Sequence, residues 1–255
     1  MDTSVIKALC IDTGYRHGFR STKRISECLS ANLFTGEVVG LIGPNGCGKS
    51  TLLRSLCGLQ PILKGALYVG EKEIAHMSPI QLARKISVVL TGRVHAGHLK
   101  AETLVSLGRY PHTKLSGGLS SRDREVVDRV FSAVGAEALQ YRTVDELSDG
   151  ELQKVMVARA LAQEPRIMLL DEPTAFLDVT RKVELMELLR NISRTQGTAV
   201  VVSSHDLDLL MRISDRLWLM DEKGALHKGE PRDAEFARLI RSVFHIPAHY
   251  SSSIS

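Results

Sequence analysis

Two stretches carry residue types that do chemistry on phosphate. The first is Gly43-Pro44-Asn45-Gly46-Cys47-Gly48-Lys49-Ser50-Thr51, a glycine-rich run that ends in one amine and two hydroxyls. The second is Asp171-Glu172, two carboxylates directly after the apolar run Ile167-Met168-Leu169-Leu170. A glycine-rich turn lets successive backbone N–H groups point at one anion, and a helix starting there adds positive potential. Side chains at Gly46 or Gly48 would obstruct the phosphate oxygens. Lys49 then reaches the β- and γ-phosphates, and the Ser50 hydroxyl can ligate Mg²⁺. Carboxylates at the C-terminal end of a parallel strand stand where such sheets bind ligands. Asp171 is placed to hold the Mg²⁺ shell and Glu172 to take a proton from attacking water. Together they predict binding and hydrolysis of a nucleoside triphosphate.

The flanking sequence supplies the elements these residues need. Val38 to Ile42 reads as a buried parallel strand and Leu52 to Cys57 as a helix closed by Gly58. Further buried strands are expected at Ile86–Leu90 and Ala199–Val202, with Arg216–Met220 closing the sheet. Val5–Cys10 and Gly65–Val69 read as short strands of an antiparallel edge sheet, with Tyr15 in the turn after the first. An exposed aromatic there could stack on an adenine base, or be a half-buried loop tyrosine. Ser120 with Asp123 has capping-box spacing, and Val126, Val127, Val130, Phe131 and Val134 follow at helical spacing up to Gly135. Ser148 with Glu151 opens another helix that Pro165 stops. Such a capped end can hold a phosphate, although every helix needs a cap. His205, just past the Ala199–Val202 strand, could touch a γ-phosphate or be a surface imidazole. Beyond Pro231, Phe236, Leu239, Ile240, Val243 and Phe244 form one apolar helix face. Ser251–Ser255 reads as a frayed tail.

A chain of 255 residues, 44% hydrophobic and 24% charged, is that of a globular α/β protein. No apolar run is long enough to span a bilayer, and Met1-Asp2-Thr3-Ser4 does not open like a signal peptide, so a cytoplasmic location is expected. On that basis Cys10, Cys28, Cys47 and Cys57 are expected to be reduced thiols. His95, His98 and His112 lack coherent ligand spacing. The net charge of +4 is mild and fits an ordinary solvated surface. The predicted fold is a P-loop NTPase core, a mainly parallel sheet with helices on both faces and an antiparallel edge sheet. Residues 1–91 and 164–250 form that core, 92–163 an inserted helical subdomain, and 251–255 a tail.

Taken in order, these motifs resemble the ATP-binding cassette family from about Tyr15 to Gly229. The phosphate loop, Leu147-Ser148-Asp149-Gly150-Glu151 at the family's signature position, Asp171-Glu172, the turn Ala175-Phe176-Leu177-Asp178 and His205 stand in family order. The resemblance implies a head-to-tail homodimer holding two ATP molecules between subunits. Ser148 and Gly150 of one chain would face the γ-phosphate held by the other, Asp178 would lie across the interface, and His205 would contact γ-phosphate and water. Two departures stand out. Asp149 replaces the usual glycine and is expected to point away from the triphosphate. Thr91-Gly92-Arg93 stands where a glutamine usually follows the strand, so Thr91 would meet Mg²⁺ through a water.

Glu102 to His112 is similar to the subdomain of ATPases that energise uptake of iron chelates (siderophores), haem and cobalamin. The implied partners are integral-membrane permease subunits and, indirectly, a substrate-binding protein, with no nucleic acid. The chain would sit peripherally at the inner face of the cell membrane. An iron–sulfur assembly ATPase is the alternative. The stretch from Lys49 to Ser148 is too short for the coiled-coil insertions of chromosome-type relatives.

Overall fold

The structure, a computed structural model, describes residues 4–17, 21–92, 96–113 and 118–246. Arg93, His95 and the expected tail at Ser251–Ser255 lie outside them. The chain opens with two long strands, β1 (Ser4–His17) and β2 (Ser21–Phe34), and then β3 (Val38–Ile42) leads into helix α1 (Lys49–Leu56). β4 (Lys64–Val69), the two-residue β5 (Lys72–Glu73), α2 (Pro79–Ala83) and β6 (Ile86–Val89) follow. Three helices come next: α3 (Ala101–Ser106), α4 (Ser121–Ala133) and α5 (Asp149–Ala162). The rest alternates: β7 (Ile167–Asp171), α6 (Val179–Gln196), β8 (Ala199–Ser203), α7 (Leu207–Ile213), β9 (Arg216–Met220), β10 (Leu226–Gly229) and α8 (Ala234–Val243).

The strands build two sheets, one ordered β2-β1-β4-β5 and the other β10-β9-β3-β8-β7-β6. In the second, β3, β6, β7, β8 and β9 pair in parallel, and only β10 runs antiparallel, along β9. The expected closing strand β9 is therefore not the edge; β10 is. Successive side chains of a strand point to opposite faces, so each central strand feeds two cores. Val38 and Ile42 of β3 belong to the core shared with helices α3–α8, while Val39 and Leu41 belong to the core shared with α1 and the antiparallel sheet. This is why these strands read as continuous apolar runs rather than alternating ones.

Three expectations fail in the antiparallel sheet. β1 does not stop near Cys10 but continues to His17, so Tyr15 lies in a strand and not in a turn. Its partner β2 was not anticipated at all. Cys10 and Cys28 are not reduced thiols: they form a disulfide across β1 and β2. Register shifts between Ala8 and Ile11 bring the two onto neighbouring positions, a juxtaposition that no local sequence spacing encodes.

The helical layer is held by a buried ion network that joins distant segments. Arg109, almost wholly buried, donates from Nε to Asp123 at 2.9 Å, and from Nη1 to Glu164 at 2.9 Å and to the Ala162 carbonyl at 2.6 Å. Asp123 also takes the Ser120 main-chain and hydroxyl protons in the expected capping box. Those contacts, the Ser120 hydroxyl foremost, hold its carboxyl pKa down at about 2. His112 is engaged too, its Nε2 resting 3.0 Å from the Gln163 carbonyl oxygen.

Candidate functional site

At the end of β3 the chain turns through Gly46 and Gly48 with φ of 79° and 112°. Only glycine takes up such angles freely. A Cβ added at Gly46 would point into open space, the room an anion needs, whereas at Gly48 it would strike Ile25 at 2.5 Å. Gly48 is also the cap residue of α1 and offers that helix no side-chain cap bond, so no capping side chain covers the first-turn N–H groups. Lys49 is buried and its Nζ donates to the carbonyls of Gly43 and Pro44, at 2.8 and 3.1 Å. The loop therefore carries the donors a triphosphate needs. Thr51 shares a 3.0 Å hydroxyl contact with Tyr15, which fixes that ring beside α1. Burial raises the Cys47 thiol pKa, keeping it neutral against the loop.

β7 and β8 bring the carboxylates into place, with Asp171 registered opposite Ser203. Ser203, which the sequence reading passed over, ties the two acids together. Its Oγ donates to Asp171 Oδ1 at 2.8 Å and accepts from the Glu172 N–H at 2.9 Å. Thr91 Oγ1 donates to the Asp171 main-chain oxygen at 2.8 Å, so its proton is committed while its lone pairs stay available. Glu172 has φ of 49°, in the left-handed region, and this throws its side chain toward His205. His205 Nε2 lies 2.6 Å from Glu172 Oε1. Asp171 and Ser50 offer the hard oxygen donors that suit Mg²⁺.

Ser148, Gly150 and Asp178 gather in a second cluster. The capping box at the start of α5 is complete: Ser148 Oγ accepts from the Glu151 N–H, and Glu151 accepts from the Ser148 N–H at 2.8 Å. That main-chain bond, the Ser148 hydroxyl and Arg142 at 2.8 Å lower the Glu151 pKa. Asp178 caps α6 by accepting the Arg181 N–H at 3.0 Å. Arg181 was not anticipated. Its side chain lies over Gly150, so a Cβ there would meet Nη1 at 2.7 Å and Cδ at 2.8 Å. Among the described residues, no hydrogen bond or ion pair joins Ser148, Asp178 or Arg181 to the phosphate loop of the same chain. A narrow cavity lined by Thr91, Asp149, Gln153, Glu172 and Phe176 lies between α5 and the carboxylates.

Known proteins place this geometry. The family profile described as ABC transporter matches residues 27–175. A Methanocaldococcus jannaschii protein, the uncharacterized ABC transporter ATP-binding protein MJ0873, is 39% identical over 231 residues, covering 90% of this chain and 80% of its own. The ferric enterobactin transport ATP-binding protein FepC of Escherichia coli is 35% identical over 220 residues, 86% of this chain and 81% of that one. Among solved structures, a metal-chelate-type ABC transporter in an inward-facing conformation aligns with a TM-score of 0.82 at 25% identity, covering 96% and 90% of the two chains. The dimeric cassette MJ0796 aligns with a TM-score of 0.76 at 26% identity, covering 89% and 99%.

Proposed function

The chain belongs to the ABC transporter family, and from that premise we propose that it is the ATP-hydrolysing subunit of an importer for an iron chelate, haem or cobalamin. It works as a homodimer beneath a separate permease that a substrate-binding protein serves, at the inner face of the membrane. Relatives named for ferric enterobactin transport and cobalamin import support this class over iron–sulfur assembly.

The observation that carries the hydrolytic reading is the 2.6 Å contact between His205 and Glu172, one residue beyond Asp171. Glu172 takes the proton of the attacking water, and His205 holds that carboxylate and then the γ-phosphate. Lys49 exchanges its two loop carbonyls for phosphate oxygens, a stronger charge-assisted contact. The main-chain groups of Gly43, Pro44, Asn45, Gly46, Cys47 and Gly48 wrap the phosphates, with Ser50 and Thr51 beyond them, and Tyr15 stacks on the base. Ser50 and Asp171, with Thr91 behind them, would hold Mg²⁺, which would supply positive charge against that developing on the phosphate. Ser148, Gly150 and Asp178 of one chain complete the site of the other.

We assign residues 92–163 to a helical unit within a core of 1–91 and 164–250, a division supported by the packing of α3, α4 and α5 on one another. A cleft of about 600 Å³ between the two parts has apolar walls, including Leu59, Met77, Leu82 and Leu107, and one cation, Arg159. Burial alone lowers the pKa of that arginine. Such a cleft suits an apolar permease helix carrying a carboxylate.

Reconstitution tests the reading. The chain is co-purified with its permease in vesicles, and ATP-driven uptake of a ferric chelate, haem and cobalamin is measured. Uptake of one of these that stops in Glu172→Gln is expected. A chain that co-purifies with a soluble scaffold and no permease would refute the proposal.

A further inference from the structure

We infer that Arg181 is a phosphate ligand supplied in trans, a guanidinium that each chain presents to the γ-phosphate held by its partner. The inference rests on the composite-site reading above and goes beyond it by adding a cation where that reading has a hydroxyl, a glycine and a carboxylate. Arg181 Nη1 lies 3.5 Å from Ser148 Oγ, and its Nε lies 3.4 Å from Asp178 Oδ2. The guanidinium thus bridges two of the three residues expected to face the partner's nucleotide and lies flat over the third, Gly150, whose Cβ would overlap it at 2.7 Å. The glycine at 150 lets the arginine lie this close, as well as leaving room for a phosphate.

Charge explains why a cation is required at this patch. Glu151 and Asp178 bring two carboxylates beside Ser148 and Gly150, at the face that would meet a polyanion. Glu151 is offset by Arg142 at 2.8 Å. For Asp178, Arg181 supplies the positive charge, its Nη1 also reaching the Ser148 hydroxyl. Its side chain is 48% exposed and so available to a second molecule. Shortly before it in the chain, Phe176 and Val179 are 69% and 77% exposed, apolar surface that a second copy of the chain would cover. A guanidinium presents several N–H groups in a fixed fork that matches phosphate oxygens, and arginines delivered by another chain stabilise phosphoryl transfer in this way.

Mixed dimers test this. Two differently tagged full-length copies, both carrying Glu172→Gln so that bound ATP is not consumed, are purified as pairs. One copy also carries Lys49→Ala, leaving a single loaded site, formed by the loop of the other copy and the Ser148 face of the Lys49→Ala copy. Release of labelled ATP is followed after a chase with unlabelled ATP. Arg181→Ala on the Lys49→Ala copy removes the guanidinium from the loaded site, and release should quicken roughly 10- to 100-fold, the worth of a charge-assisted contact. On the other copy the change falls on the emptied site and release should keep its parent rate. Equal release in the two arrangements overturns the inference. Ser148→Arg in the same arrangements tells the two readings apart: asymmetry for Ser148→Arg without asymmetry for Arg181→Ala refutes the arginine alone, and symmetry for both refutes the composite site with it. Because Asp178 caps α6 through the main-chain N–H of residue 181, the substitution leaves the cap in place. Homodimers give a second answer, with Arg181→Lys expected to retain ATP longer than Arg181→Ala; equal retention by both and the parent overturns the inference.

Discussion

The phosphate loop and the start of α5 are both helix N-termini facing outward, and they differ in what the chain has already done with them. Around the loop, Lys49, Asp171, Glu172 and His205 all have partners within the same chain. At the start of α5 the capping box is complete, unlike the uncapped start of α1, and the half-exposed Arg181 lies over it, with the exposed Phe176 and Val179 close in the chain. On the proposed reading, one chain brings the hydrolytic residues together and a second copy supplies the surface that completes the substrate's cage. The contrast explains why a likeness to a dimeric cassette matters more for the second region than for the first.

The sharpest way to break this contrast is at the base. Glu172→Gln should reduce turnover by roughly 10²–10⁴-fold, because only general-base help is removed. ATP should still bind, and ATP-loaded pairs should accumulate in size-exclusion chromatography. Near-parent turnover would remove Glu172 from its role and with it the claim that the loop side is complete.

The support of the second region comes next. Arg109→Ala would leave Asp123 buried without its cation, at a cost of about 3–5 kcal/mol, read as a lower urea midpoint. The same network has a pH signature. Because Asp123 ionises at about 2 in the folded chain and near 3.8 when unperturbed, its stabilisation is complete above about pH 4 and disappears as pH falls toward 2. Replacing Asp123 by Asn should flatten that part of the stability profile, and an unchanged profile would count against the network.

The smallest effect is expected at Thr91. Thr91→Val removes one hydrogen bond to the Asp171 carbonyl, worth about 1 kcal/mol. Apparent Mg²⁺ affinity for hydrolysis should fall severalfold at most. Unchanged Mg²⁺ dependence would show that Thr91 serves the backbone alone.

The features legible in the sequence were those whose information is local. The phosphate loop is nine consecutive residues, and the capping boxes of α4 and α5 need only a serine and an acid three positions later. The central strands were legible because burial on both faces leaves an uninterrupted apolar run. β2 was missed although Leu29, Ala31 and Leu33 alternate inward, because its other face carries exposed polar and charged side chains that mask the run. Ser203, Arg109 and Arg181 were missed for a different reason. Each acts on at least one residue 14 or more positions away, and a lone serine or arginine carries no long-range spacing signal until the fold supplies its neighbours.

Glu172 sits in a backbone conformation that L-residues adopt at a cost of order 1–3 kcal/mol and glycine adopts almost freely. Selection for folding alone would therefore drift toward glycine at this position. The carboxylate persists only while something other than stability is being selected. Position 172 is thus one where a library screened for heat resistance and a library screened for transport should return opposite residues, and the disagreement between them would measure how much fold stability the chain gives up for its chemistry.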